Sequence, residues 1–211
     1  METLSQNAAI LLIGWASGIN LYLTVALTGI CGRMGWLTLP DSMDIVQSPV
    51  IIGIAILLYA VEFCADKIPV VDSAWDSLHT IIRPAGALVM GFLAGSEYGP
   101  IAQTVIGLST GAIALETHTF KATSRAAINL SPEPVTNIAA SVTEDVAVVS
   151  AFWFFMQHPI ITSIVLILTL IGAFFVIISL WKFVAGLFGG KKISPDQSRE
   201  LRDQVPEGQV Q

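Results

Sequence analysis

The chain has 211 residues, 54% of them hydrophobic and only 12% charged, with a mean hydropathy of +0.72 and a formal net charge of −6. A soluble domain carries about a quarter of its residues as charges, so soluble enzymes and disordered chains are excluded, and the acidic balance excludes a nucleic-acid binder. What remains is an all-α, polytopic helical membrane protein with length for about six spans of roughly 20 residues.

The first apolar run covers Ala8 to about Gly32, too long for a signal-peptide core and with no Lys or Arg before it, so it is read as a retained span. Inside it, Asn20 follows Ser17-Gly18, which suggests a local break where backbone groups line a cavity, or simply a packing polar residue. The second run starts at Pro49 and continues to about Cys64. The third has a polar lead-in, Val70 to His79, before an apolar stretch from Ile81 to Gly95. The fourth covers Pro100 to about Leu115 and ends in Glu116, Thr117 and His118, read as an interfacial end. The fifth begins near Ser131 or Ile138 and ends near Met156, and the sixth covers Pro159 to about Phe188. Residues 1–188 form the transmembrane domain. Residues 189–211 are a polar tail, expected to be disordered and cytoplasmic, whose four basic and four acidic residues cancel.

Loop Lys and Arg set the orientation. With six spans, Lys67, Lys121, Arg125, Lys182 and the basic tail fall on one side and Arg33 on the other, so both termini are expected in the cytoplasm. Cys31 and Cys64 then lie near opposite faces and are not expected to form a disulfide.

Glycines recur four apart at Gly14 and Gly18, Gly107 and Gly111, and Gly91, Gly95 and Gly99. Such spacing lets helices approach closely, within one protomer first and across a homo-oligomer face second. Gly14-Trp15-Ala16-Ser17-Gly18 also echoes Gly107-Leu108-Ser109-Thr110-Gly111, as a three-plus-three inverted repeat would. A competing echo, Ile19-Asn20-Leu21 against Ile128-Asn129-Leu130, has a different offset.

Ionisable residues within apolar runs each cost roughly 2.5–3.5 kcal/mol on insertion scales and need a partner or a purpose. Glu62 and Asp66 are four apart, one turn along a helix, and need Lys67, a proton or a bound cation to offset their repulsion. Asp72, Asp76, His79 and Arg83 follow at offsets of four, three and four, a single stripe that lines either a polar pathway or a solvated amphipathic face. Lys121, Arg125 and Asn129 occupy the connector after the fourth span, and Ser131-Pro132-Glu133-Pro134 marks a helix start. Glu144 and Asp145 then lie about 12 residues into the fifth helix, roughly 18 Å along its axis, and their side chains point about 100° apart. A pairing with Arg83 or Arg125 is the plain alternative to a functional role.

Three stretches are familiar in combination: Ser17-Gly18-Ile19-Asn20-Leu21-Tyr22, Ala65-Asp66-Lys67-Ile68-Pro69-Val70-Val71-Asp72-Ser73, and Lys121 through Pro134. Together they resemble a bacterial inner-membrane family catalogued as domain of unknown function four-one-two-six. The resemblance covers most of the chain except the tail. It implies a small multi-spanning protein of the bacterial inner membrane and carries over no substrate or catalytic residue.

The expected function is a small secondary transporter or channel for a cation or proton, with Asn20, Glu62, Asp66, Glu144 and Asp145 as ligands or carriers. An anionic solute or lipid headgroup gripped by Arg83, Lys121 and Arg125 is the alternative, and a scaffold without transport is a third. No enzyme activity or cofactor is expected. The histidines show no recurrent metal spacing, so any metal site is unknown.

Overall fold

A computed structural model describes residues 2–129 and 134–188. Among these the chain is all-helical: α1 (Glu2–Ile19), α2 (Leu21–Arg33), α3 (Pro49–Ala65), α4 (Pro69–Ala94), α5 (Pro100–Asn129), α6 (Pro134–Gln157) and α7 (Pro159–Phe188). Five of them begin on a proline, whose fixed φ suits a first turn and whose missing N–H has no helical acceptor there. Gly99, at φ +82°, sits in the tight turn ahead of α5, a conformation that favours glycine. The chain divides into two compact units, residues 1–177 and 178–211. The described part of the second is the last stretch of α7.

Among the described residues, three helical stretches are long and apolar enough to cross a membrane: Val70–Ala94, Val135–Gln157 and Pro159–Lys182. Ala8–Ile19, Leu21–Arg33 and Pro49–Ala65 are shorter apolar helices. Several boundaries differ from those expected. The first apolar run is two helices. The polar lead-in and apolar stretch of the third run are one helix, α4. The fourth run does not end at Leu115, because α5 continues through the supposed connector to Asn129. The Ser131-Pro132-Glu133 helix-start signal and the 189–211 tail lie outside the described residues.

Helix directions follow from the close contacts. Gly111 of α5 packs on Pro84 and Leu88, and Gly107 on Leu88 and Phe92, so α4 and α5 are antiparallel. Gly14 of α1 meets Thr110 and Ile113, and Gly18 meets Ala114 and Thr117, so α1 is parallel to α5. Leu21 lies against Gly86, Val25 packs against the cluster that holds Met90, and Ser42 beyond α2 donates to Leu93 O at 2.6 Å, so α2 is parallel to α4. The two halves of the first apolar run therefore oppose each other. They form a helical hairpin with Asn20 at its tip.

The glycine spacings serve this packing. A Cβ on Gly18 would come within 2.5 Å of Ala114 O, so only glycine lets α1 lie this close to α5. An apolar cluster of Leu12, Ala16, Ile19 and Leu23 against Val148, Phe152 and Phe155 joins the hairpin to α6.

Candidate functional site

The site starts at the hairpin tip. Asn20 is extended (φ −151°, ψ 101°), and its Oδ1 accepts from Leu23 N at 3.0 Å. In an unbroken helix Leu23 N would serve Ile19 O. Its diversion helps to free the last carbonyls of α1. Cations on another helix pair take them: Arg83 Nη1 donates to Gly18 O at 3.1 Å and Lys121 Nζ to Ile19 O at 3.2 Å. Positive charge is favourable at this negative end of a helix. The start of α2 has the opposite polarity and the opposite neighbour, since Asn20 Nδ2 donates to Asp145 Oδ1 at 3.2 Å. Tyr59 donates to the other Asp145 oxygen at 3.1 Å.

Two antiparallel stripes supply the rest. On α4 it is Asp72, Asp76, His79 and Arg83, all buried. On α5 it is His118, Lys121 and Arg125, at offsets of three and four, also buried. Arg83 Nη2 donates to Glu62 Oε1 at 2.6 Å and lies 3.4 Å from Asp76 Oδ1. Its Nη1 also donates to His118 Nδ1 at 2.8 Å. A guanidinium can only donate, so Nδ1 accepts, the ring is neutral and its proton is on Nε2, which donates to Asp76 O at 3.1 Å. Lys121 Nζ donates to Asp66 Oδ2 at 3.0 Å and lies 3.4 Å from Glu144. Arg125 forms a two-pronged pair with Glu144, at 2.9 and 2.8 Å, lies 4.0 Å from Asp72, and donates to Asn137 Oδ1 at 2.8 Å. Asn137 Nδ2 in turn donates to Asp66 O at 2.7 Å, tying α6 to the end of α3.

Glu62 and Asp66 are therefore offset by Arg83 and Lys121. Lys67 instead donates to Phe63 O at 2.9 Å and lies over the Phe63 ring. Glu144 and Asp145 diverge as their spacing requires, one to Arg125 and the other to Asn20 and Tyr59. Two expectations are corrected. The α4 stripe is not a solvated face, because α5 and the hairpin cover it. His118 is not interfacial, because α5 continues for about three more turns and buries the ring against α4. Asn129 closes α5, and its side chain lies outside the described residues. Asn137 and Tyr59 were missed. Asn137 had a signal, since Asn137, Ser141 and Asp145 share one face of α6.

Among the described residues the buried set holds five carboxylates, Glu62, Asp66, Asp72, Asp76 and Asp145, against three cations, Arg83, Lys121 and Arg125. Glu144 adds a sixth carboxylate at the edge, its side chain 21% exposed. Buried charges are tolerated only when compensated. Glu62 Oε2, Asp66 Oδ1 and both Asp76 oxygens accept no hydrogen bond. Among the described residues no group of three His, Cys, Asp or Glu is arranged to hold a metal ion.

A family model described as "Domain of unknown function (DUF4126)" matches residues 8–179. No curated protein sequence and no solved structure matches the chain.

Proposed function

The chain belongs to the DUF4126 family, and we propose that it is a secondary transporter or channel that moves a proton or small cation through this carboxylate-rich network. The observation that carries the proposal is the excess of buried carboxylates over buried cations at the tip of a helical hairpin. An excess of this kind is balanced by a proton or a bound cation, which is the property a carrier needs. Broken helices whose freed backbone groups meet charges are a recurrent construction at transport sites.

The anion alternative is disfavoured by saturation. Arg83, Lys121 and Arg125 are buried, and each is already engaged by carboxylates and backbone or amide oxygens. A scaffold would have little need of such a network. We take the protein to be a non-enzymatic transporter of the bacterial inner membrane. Gly14/Gly18 and Gly107/Gly111 lie on α1 and α5, which run parallel, whereas an inverted repeat would oppose its equivalent helices, so no such repeat is proposed.

The opposed α1 and α2 suggest five crossing helices, α3 to α7, preceded by a re-entrant pair. The Lys67 side would be cytoplasmic, with Arg33 outside.

The test is flux into proteoliposomes containing a pH-sensitive dye, with sodium or potassium supplied in turn. Glu144→Gln should insert normally and lose most of the flux. Wild-type flux in that variant would overturn the proposal.

A further inference from the structure

Beside the network lies a cavity of about 400 Å³ between α1, α5, α6 and α7, within the usual range for small-molecule sites. Its walls are mostly apolar, and Trp15 and Phe120 contribute aromatic rings. Two charged residues reach its lining, Lys121 and Glu144. Their exposure differs. The Lys121 side chain is 3% exposed, with its ammonium turned into the network toward Ile19 O and Asp66, whereas that of Glu144 is 21% exposed. The charged group an occupant meets is therefore the Glu144 carboxylate, which Arg125 holds from behind through both oxygens and whose further acceptor sites lie on the exposed side, within a buried set that holds more acids than cations.

We propose that this cavity binds a lipophilic monovalent cation, its apolar body between α7 and the aromatic rings of Trp15 and Phe120 and its charge toward Glu144. This rests on the cation-transport proposal above and names a substrate class for it. Three features agree on the occupant. Apolar walls select an amphiphile over a hydrated ion. Aromatic faces favour a cation with delocalised or shielded charge. The acid excess repels an anion of the same shape, which is charge complementarity acting as selectivity. Helix α7 also exposes an apolar outer surface, with Ile164, Leu168 and Phe175 on it, so an amphiphile could arrive from the lipid side.

Gly172 supplies a clean way to close the cavity. It lines the wall, and a Cβ built on it meets nothing within 4 Å, so a large side chain there can occupy the space without displacing backbone.

The experiment measures binding of tetraphenylphosphonium and of its anionic counterpart of the same shape, tetraphenylborate, to the purified full chain in detergent. Gly172→Trp serves as the reference for non-specific partitioning, and thermal unfolding serves as the check that it folds. Saturable phosphonium binding is expected in the wild type, with none in Gly172→Trp. In Glu144→Gln it should be about tenfold weaker, the size of one lost charge-assisted contact. The borate should not bind saturably. Equal or tighter binding of the borate, or phosphonium binding unchanged in a folded Gly172→Trp protein, overturns the inference. Proton or sodium flux that depends on Glu62, without phosphonium binding, rejects this ligand class and leaves the transport proposal standing. Phosphonium binding without flux of any cation does the reverse.

Discussion

Helices α4 and α7 are both long and apolar enough to span a bilayer, yet they treat polarity in opposite ways. Along α4, four ionisable side chains, Asp72, Asp76, His79 and Arg83, face inward and are buried. Helix α7 turns Ile160, Ile161, Ile164, Val165 and Leu168 outward. In water the arrangement would be reversed. Where the outside is lipid, apolar residues cost nothing on the surface, and the expensive groups gather where they can satisfy one another. The contrast teaches that overall hydropathy identifies lipid-facing helices, while the spacing of the exceptions identifies the interior.

The comparison can be broken most severely at Arg83. Arg83→Met removes the partner of Glu62 and Asp76 and the donor to Gly18 O and His118. Breaking a buried pair from one side costs about 3–5 kcal/mol. A large fall in thermal unfolding temperature in detergent is expected, whereas Arg33→Met, at an exposed position, should change stability by less than about 0.5 kcal/mol.

Next in size is Gly18→Ala. The added methyl collides with Ala114 O and the Thr117 side chain, which should cost about 1–3 kcal/mol as α1 is pushed from α5. The same change at Gly172 on α7 meets open space and should be close to neutral in the same thermal assay.

Asn20→Ala should cost about 1–2 kcal/mol, since it removes the cap of α2 and the hydrogen bond to Asp145. Faster amide exchange at Leu23 is the local sign, because that N–H loses its acceptor. The smallest effect is expected on α7, where Leu168→Ala at a 62% exposed site should change stability by less than about 0.5 kcal/mol.

Much of the site was legible as spacing. The four-three-four offsets of the α4 stripe were plain, and so was the adjacency of Glu144 and Asp145. The corresponding α5 stripe was hidden by a boundary error. Glu116 to His118 look like the polar end of a span and make Lys121 and Arg125 read as a connector, although their offsets from His118 put all three on one face. Hydropathy also could not show that α2 turns back along α1. An apolar run carries length but no direction, and the turn depends on one residue, Asn20, whose side chain substitutes for a backbone carbonyl. The Arg125–Glu144 pair is the plain alternative that the spacing offered, whereas the partners of the other carboxylates were beyond sequence, because they depend on the helix directions.

In the transport proposal the buried acids, rather than acidity in general, carry the translocated charge. The most direct test compares dye-reported flux in proteoliposomes for Glu62→Gln and Glu97→Gln, reconstituted at equal density. Glu62 is fully buried against Arg83, and Glu97 is exposed in the turn before α5. Flux that is lost in Glu62→Gln and kept in Glu97→Gln is the predicted result. Equal flux in both variants and the wild type would contradict the account.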